Sequence, residues 1–105
     1  MAVWLPSDGN WSGMGPKHHY RDKLWWWRRG YDAHKEPAPD LMLQATRLDG
    51  DALPVWVDNA TNAYGEGWSR MLMALEFPTS GCWEVNARYR EEQLTFVVRV
   101  GGPEL

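Results

Sequence analysis

Lys23-Leu24-Trp25-Trp26-Trp27-Arg28-Arg29 is the stretch on which the reading of this chain turns. Side chains on a β-strand alternate between its two faces, so three consecutive tryptophans cannot share one environment. Lys23, Trp25, Trp27 and Arg29 fall in one phase, Leu24 and Trp26 in the other. The phase bounded by basic residues is assigned outward and Trp26 inward. Large aromatics are mostly buried, so the outer pair is either a binding surface or the seat of a covering sheet, loop or partner subunit.

Composition narrows the classes. A chain of 105 residues fits one domain, 1–105, able to bury roughly two-thirds of the surface its unfolded form would expose. Charged residues at 24% and hydrophobic residues at 44% sit near the globular average, and eight tryptophans are the departure from it. With a formal net charge of −3 and basic residues adjacent only at Arg28-Arg29, nucleic acid is not an expected partner. No apolar run approaches the ~20 residues of a membrane span, and no charged-then-apolar leader is present. A membrane partner is therefore not expected, and the expected location is secreted or periplasmic, with the chain starting after a removed leader. Cys82 is the only cysteine, which excludes an intrachain disulfide and a cysteine-rich zinc site. Followed by Trp83 and an alternating run, it reads as a buried, inert thiol.

Outward from the tryptophan strand, period-two alternation recurs. Leu41 to Leu48 sets Leu41, Leu43 and Ala45 against Met42, Gln44 and Thr46, and Trp68 to Phe77 sets Met71, Met73, Leu75 and Phe77 against Trp68, Arg70, Leu72, Ala74 and Glu76. In Cys82 to Arg90, Trp83, Val85, Ala87 and Tyr89 point inward, and Leu94 to Val100 returns with Leu94, Phe96, Val98 and Val100 in one phase. Ala2 to Leu5 is a first edge strand, and Pro54 makes Leu53 to Val57 an edge. Asp49-Gly50 signals a hairpin. Trp11, His18 and His19 fall in a long loop, Tyr31 and His34 in a proline-bounded surface connection, and residues 58–67 in a polar loop. No stretch carries a sustained 3.6 period with caps. Seven short strands spaced by turns predict an all-β, antiparallel two-sheet β-sandwich, with Trp26, Trp83, Val85, Phe96 and Val98 in its core.

The segment Phe77-Pro78-Thr79-Ser80-Gly81-Cys82-Trp83-Glu84-Val85, with Leu94 to Val100 as its partner, resembles the final hairpin of immunoglobulin-like domains. In that resemblance Trp83 stands where such domains often carry a corner tyrosine, so the corner hydrogen bond would come from an indole N–H or be absent. Lys23 to Arg28, Thr46-Arg47-Leu48-Asp49-Gly50 and Gly81 to Val85 resemble segments of small secreted bacterial proteins. The tryptophan-rich sandwich is similar in kind to the carbohydrate-binding modules appended to bacterial glycoside hydrolases.

Three chemistries can be weighed from the residues. Hydrolysis of a glycoside needs two carboxylates around a cleft, and Glu76 and Glu84 are the pair that neighbouring strands could bring together, although an ion-pair lattice with Arg70 and Arg88 is the plainer use. No nucleophile-elbow pattern occurs, so an enzyme is not expected. Asp49, Asp51, Asp58 and Asn59 supply oxygen ligands in two loops, which makes calcium the one cofactor to consider, although turn formation is their ordinary role. Binding is the strongest expectation. Sugar rings present C–H patches that stack on flat aromatic faces, and Trp25, Trp27, Trp56, Trp68 and Tyr31 are the candidates to hold a β-glucan-type polysaccharide. The alternative is a protein-interaction or structural domain in which the same aromatics form a hot spot.

Overall fold

The computed structural model describes residues 1–5, 10–11 and 20–101, the pair 10–11 by its backbone only. The described residues contain nine strands and no helix: β1 (Ala2–Val3), β2 (Asn10–Trp11), β3 (Tyr20–Trp27), β4 (Leu41–Arg47), β5 (Val55–Val57), β6 (Thr61–Gly65), β7 (Trp68–Phe77), β8 (Gly81–Tyr89) and β9 (Glu92–Val100). They form a four-stranded sheet in the order β1-β3-β7-β6 and a five-stranded sheet in the order β2-β9-β8-β4-β5. The first is the A-B-E-D order of an immunoglobulin-like sandwich, and the second is its G-F-C order extended at both edges. All pairings are antiparallel except β2 with β9, where Asn10 lies opposite Arg99 and Trp11 opposite Val100 in parallel register. Thus the N-terminal segment contributes one short strand to each sheet.

The parity read from the sequence is what the two sheets bury. Leu24 and Trp26 of β3, with Met71, Met73, Leu75 and Phe77 of β7, meet Leu41, Leu43, Ala45, Trp83, Val85, Ala87, Tyr89, Val98 and Val100 from the other sheet. Phe96 is only partly buried and packs against this core. Two aromatic pairs tie the layers together: Trp26 with Phe96 (ring centroids 6.1 Å apart) and Phe77 with Trp83 (5.2 Å). The corner bond exists in its indole form, because Trp83 Nε1–H donates to the Thr79 carbonyl at 3.2 Å. Gly81 opens that strand at φ +129°, and an added Cβ there would overlap the Asp49 carboxylate and the Arg47 guanidinium.

Several expectations change. Thr61–Gly65 is an edge strand rather than part of a loop, joined to β7 by the two-residue turn Glu66-Gly67 with Gly67 at φ +79°. Trp11 belongs to a strand, and His18 and His19 lie outside the described residues. Asp49-Gly50 is not a tight hairpin, since the β4–β5 register leaves Thr46 to Pro54 as the connection. Cys82 takes the outward phase of β8 and is half-buried, because Trp83 and not Cys82 shares the parity of Val85. The connection from β3 to β4 does not stay on the surface: Tyr31 and Ala33 are buried. Tyr31 O–H donates to the Glu36 carbonyl at 2.9 Å, and its ring meets Tyr89 edge-on at 6.3 Å.

Candidate functional site

The outer face of the four-stranded sheet is built by parity and register. Trp25 of β3 stands directly opposite Leu72 of β7, and Trp27 opposite Ala2 of β1, so the outward phase of β3 is flanked by the outward phases of both neighbours. Trp4 N–H donates to the Trp25 carbonyl at 3.1 Å, which extends the β1–β3 pairing by a residue and leaves Trp4 half-exposed on the Trp25 side. Trp68 begins β7 opposite Gly65 of β6, and a Cβ on Gly65 would overlap the Trp68 indole. The missing side chain is what lets that ring lie over the edge strand.

Four tryptophans therefore share one face: Trp4 (52% exposed), Trp25 (43%), Trp27 (39%) and Trp68 (40%). Trp25 and Trp68 lie 6.0 Å apart, tilted by 41°. Arg70 sits among them, its Cζ 5.2 Å from the Trp4 ring and 5.9 Å from the Trp68 ring, with Nη1 donating to the Ser69 carbonyl at 2.7 Å. Cation–π attraction to two rings holds an otherwise mobile side chain in place and leaves its N–H donors at the rim. Trp4, Trp25 and Arg70 line an open depression of about 330 Å³.

The five expected ligand residues divide accordingly. Trp25, Trp27 and Trp68 are brought to one face, whereas Trp56 (62% exposed) is on β5 of the other sheet, beside Met42, Gln44, Asn86 and Arg88. Tyr31 is largely buried, its ring packed on Tyr89 and its hydroxyl donating to the Glu36 carbonyl, and it is not on the face that carries Trp25 and Trp27. Burial first, and then the charge of Glu36, push the Tyr31 phenol up to about 12. Trp4 and Arg70 were missed as members of the site. Their outward parity was legible, but their convergence depends on β3 lying between β1 and β7.

Beyond Trp68 a second depression of about 320 Å³ is bounded by Gly30, Tyr31, Asp32, His34, Gly67 and Ser69. His34 Nδ1 lies 3.3 Å from Asp32 Oδ1, and the His34 N–H donates to the same oxygen at 2.9 Å. The His34 backbone bond, more than its ring, holds the Asp32 carboxyl below the usual range. Ser69 Oγ accepts the Ala33 N–H at 3.0 Å, so it ties the crossover to β7.

The carboxylates considered for the other chemistries lie on different strands and loops. Glu76 is on β7 and Glu84 on β8, outward on different sheets, so they face away from each other across the whole sandwich. Among the described residues no three acidic, histidine or cysteine side chains converge as a metal site. Asp49 Oδ1 is engaged by the Cys82 N–H at 3.0 Å and Arg47 Nε at 3.2 Å, and these donors, Cys82 first, lower its pKa. Asp49 Oδ1 thus serves as a clamp between the β4–β5 connection and the start of β8.

Compared with known proteins, the chain matches no family model, no curated protein and no solved structure. The site has to be read from its own geometry.

Proposed function

We propose that the protein is a non-catalytic carbohydrate-binding module, exported and of the kind appended to glycoside hydrolases, which holds a polysaccharide on the outer face of its four-stranded sheet. The observation that carries this reading is the clustering of Trp4, Trp25, Trp27 and Trp68 around Arg70 on rigid, hydrogen-bonded strands. Pyranose rings would stack on the indoles, and Arg70 would donate to ring substituents. Side chains already fixed by sheet register lose little entropy on binding.

The test is a set of binding isotherms on soluble polysaccharides, including cello-oligosaccharides, β-glucan and their charged counterparts, with melts run in parallel. A Trp25→Ala, Trp27→Ala double variant should lose about thirty-fold or more in affinity, taking ~1 kcal/mol for each stacked ring, with its melting temperature nearly unchanged. Failure of the wild type on every glycan, or equal binding by the double variant, overturns the reading and favours a protein-interaction surface built on the same residues.

A further inference from the structure

The tryptophan face has a charge unlike that of the chain as a whole. Its outward strand residues include the cations Arg21, Lys23 and Arg70 and one carboxylate, Glu76, whereas the chain carries a formal net charge of −3. Among the described residues Lys23 and Arg70 have no carboxylate within ion-pair distance, and Lys23 stands opposite Ala74. By contrast Arg28, Arg47 and Arg90, all outside this face, are each paired with acidic groups. Lys23 and Arg70 thus stand beside the exposed indoles without a carboxylate partner among the described residues, and Arg88 and Arg99 on the other sheet likewise have none there.

The two features are also continuous. A groove of about 410 Å³ is lined by Arg21, Lys23, Thr61, Leu72 and Glu76, and Leu72 is the residue directly opposite Trp25. Along β3 the outward positions run Arg21, Lys23, Trp25, Trp27, each about 7 Å from the next. A chain laid along this row meets rings at one end and positive charge at the other, while Arg70 offers a fork of donors suited to a carboxylate beside Trp4 and Trp68. Of the acidic residues near the site, Glu76 lies at the cation end opposite Arg21, whereas Asp32 and Glu66 lie past Trp68 at the other end.

We infer that the ligand of this face is an acidic polysaccharide, a chain of uronic-acid rings whose carboxylates are met by Lys23 and Arg70 while its ring faces stack on Trp25, Trp27 and Trp68. This rests on the stacking reading above and replaces the expected neutral β-glucan by its charged form. Cello-oligosaccharides and the same chains oxidised at C6 to glucuronan share one backbone and differ in the carboxylate, so they isolate the charge. Polyglutamate supplies charge without rings.

The wild type should bind glucuronan at least tenfold more tightly than the cello-oligosaccharide at low salt, and the advantage should shrink at 0.5 M salt, where exposed charges are screened. Lys23→Gln should lose glucuronan affinity several-fold and leave cello-oligosaccharide binding within about twofold, whereas Arg70→Gln, which also removes a donor to neutral sugars, should weaken both and glucuronan the more. Equal binding of both chains, or unchanged glucuronan binding by the two Gln variants, overturns the acidic ligand and leaves the stacking platform standing. Binding of polyglutamate as tight as that of glucuronan overturns it as well, since rings would then contribute nothing. Absence of binding to either sugar, with the variants folded, removes the platform itself.

Discussion

The two sheets treat tryptophan differently. Among the described side chains each buries one completely, Trp26 in the four-stranded sheet and Trp83 in the five-stranded sheet, and the first also clusters tryptophans on its outside. The interior pair differs in polar bookkeeping. Trp83 Nε1–H is bonded to the Thr79 carbonyl, whereas Trp26 Nε1–H is buried without a partner. The exteriors differ in grouping: Trp4, Trp25, Trp27 and Trp68 surround Arg70, while Trp56 stands alone among Met42, Gln44, Asn86 and Arg88. Burial alone does not say what an indole does in this molecule. The partner of its N–H and the company of its ring do.

Truncation gives the largest effect. Trp83→Ala and Trp26→Ala each remove a fully buried indole and should cost about 3–5 kcal/mol, enough to unfold a marginal domain, as chemical denaturation would show. The finer comparison is with phenylalanine. Trp83→Phe forfeits the corner hydrogen bond, whereas Trp26→Phe removes a buried donor that has no acceptor and costs the fold about 1–3 kcal/mol as it stands. Trp26→Phe should therefore be the milder change by roughly 1–2 kcal/mol in denaturant melts. Equal losses would mean that the Trp26 N–H is satisfied after all.

Alkaline pH should loosen the crossover that links the sheets. Tyr31 sits in that crossover and Tyr89 ends β8, and both phenols are pushed up to about 12, by burial first and by Glu36 next, through its charge on Tyr31 and through its hydrogen bond to Tyr89. A raised folded-state pKa means that the stabilisation is complete below the unfolded value of about 10 and is lost as pH rises from there through 12. The melting temperature should fall between pH 9.5 and 11.5, and Tyr31→Phe should flatten the fall. A flat profile in the wild type would show that neither hydroxyl is held protonated by the fold.

Much of this was legible because parity survives wherever a strand has one wet and one dry face. The runs from Leu24 to Trp27, Met71 to Phe77 and Trp83 to Tyr89 each buried the phase read from sequence. Parity fails where tertiary context decides. The outward members of β6, Thr61, Ala63 and Gly65, are small or polar, and Asn62 in the other phase bonds the Pro37 carbonyl, so no apolar alternation marks that edge strand. Tyr31 lies between turn signals and is buried only because Tyr89 and Glu36 converge on it. The site was half-readable for the same reason. The exposure of Trp25 and Trp27 follows from phase, but the addition of Trp4 and Arg70, and the loss of Trp56 to the far side, follow from strand order.

A subtler change should alter the platform without touching any of its aromatics. Gly65→Ala places a methyl group where the Trp68 indole lies, and because Gly65 does not need a positive φ the backbone accepts the new residue. The ring must swing off the edge strand, away from its present place 6.0 Å from Trp25 and within cation–π reach of Arg70. Stability should change by less than ~1 kcal/mol, because Gly65 is only partly buried on an edge strand, while glycan affinity drops about fivefold, the worth of one displaced stacking contact. Unchanged affinity would remove Trp68 from the site.

The smallest expected effect is also the sharpest test of the contrast between the faces. Trp56 is the most exposed tryptophan among the described residues, and exposure alone would rank it first as a ligand contact. It occupies the short edge strand β5, opposite Gln44, in a depression of about 100 Å³ with no second aromatic ring lining it. A lone indole gives a sugar one stacking contact and no continuation, so Trp56→Ala should leave both stability and glycan affinity within the error of the isotherm. If instead Trp56→Ala abolished binding while the Trp25→Ala, Trp27→Ala double variant retained it, the ligand would belong to the five-stranded sheet. The clustered tryptophans would then have to be assigned to a protein partner.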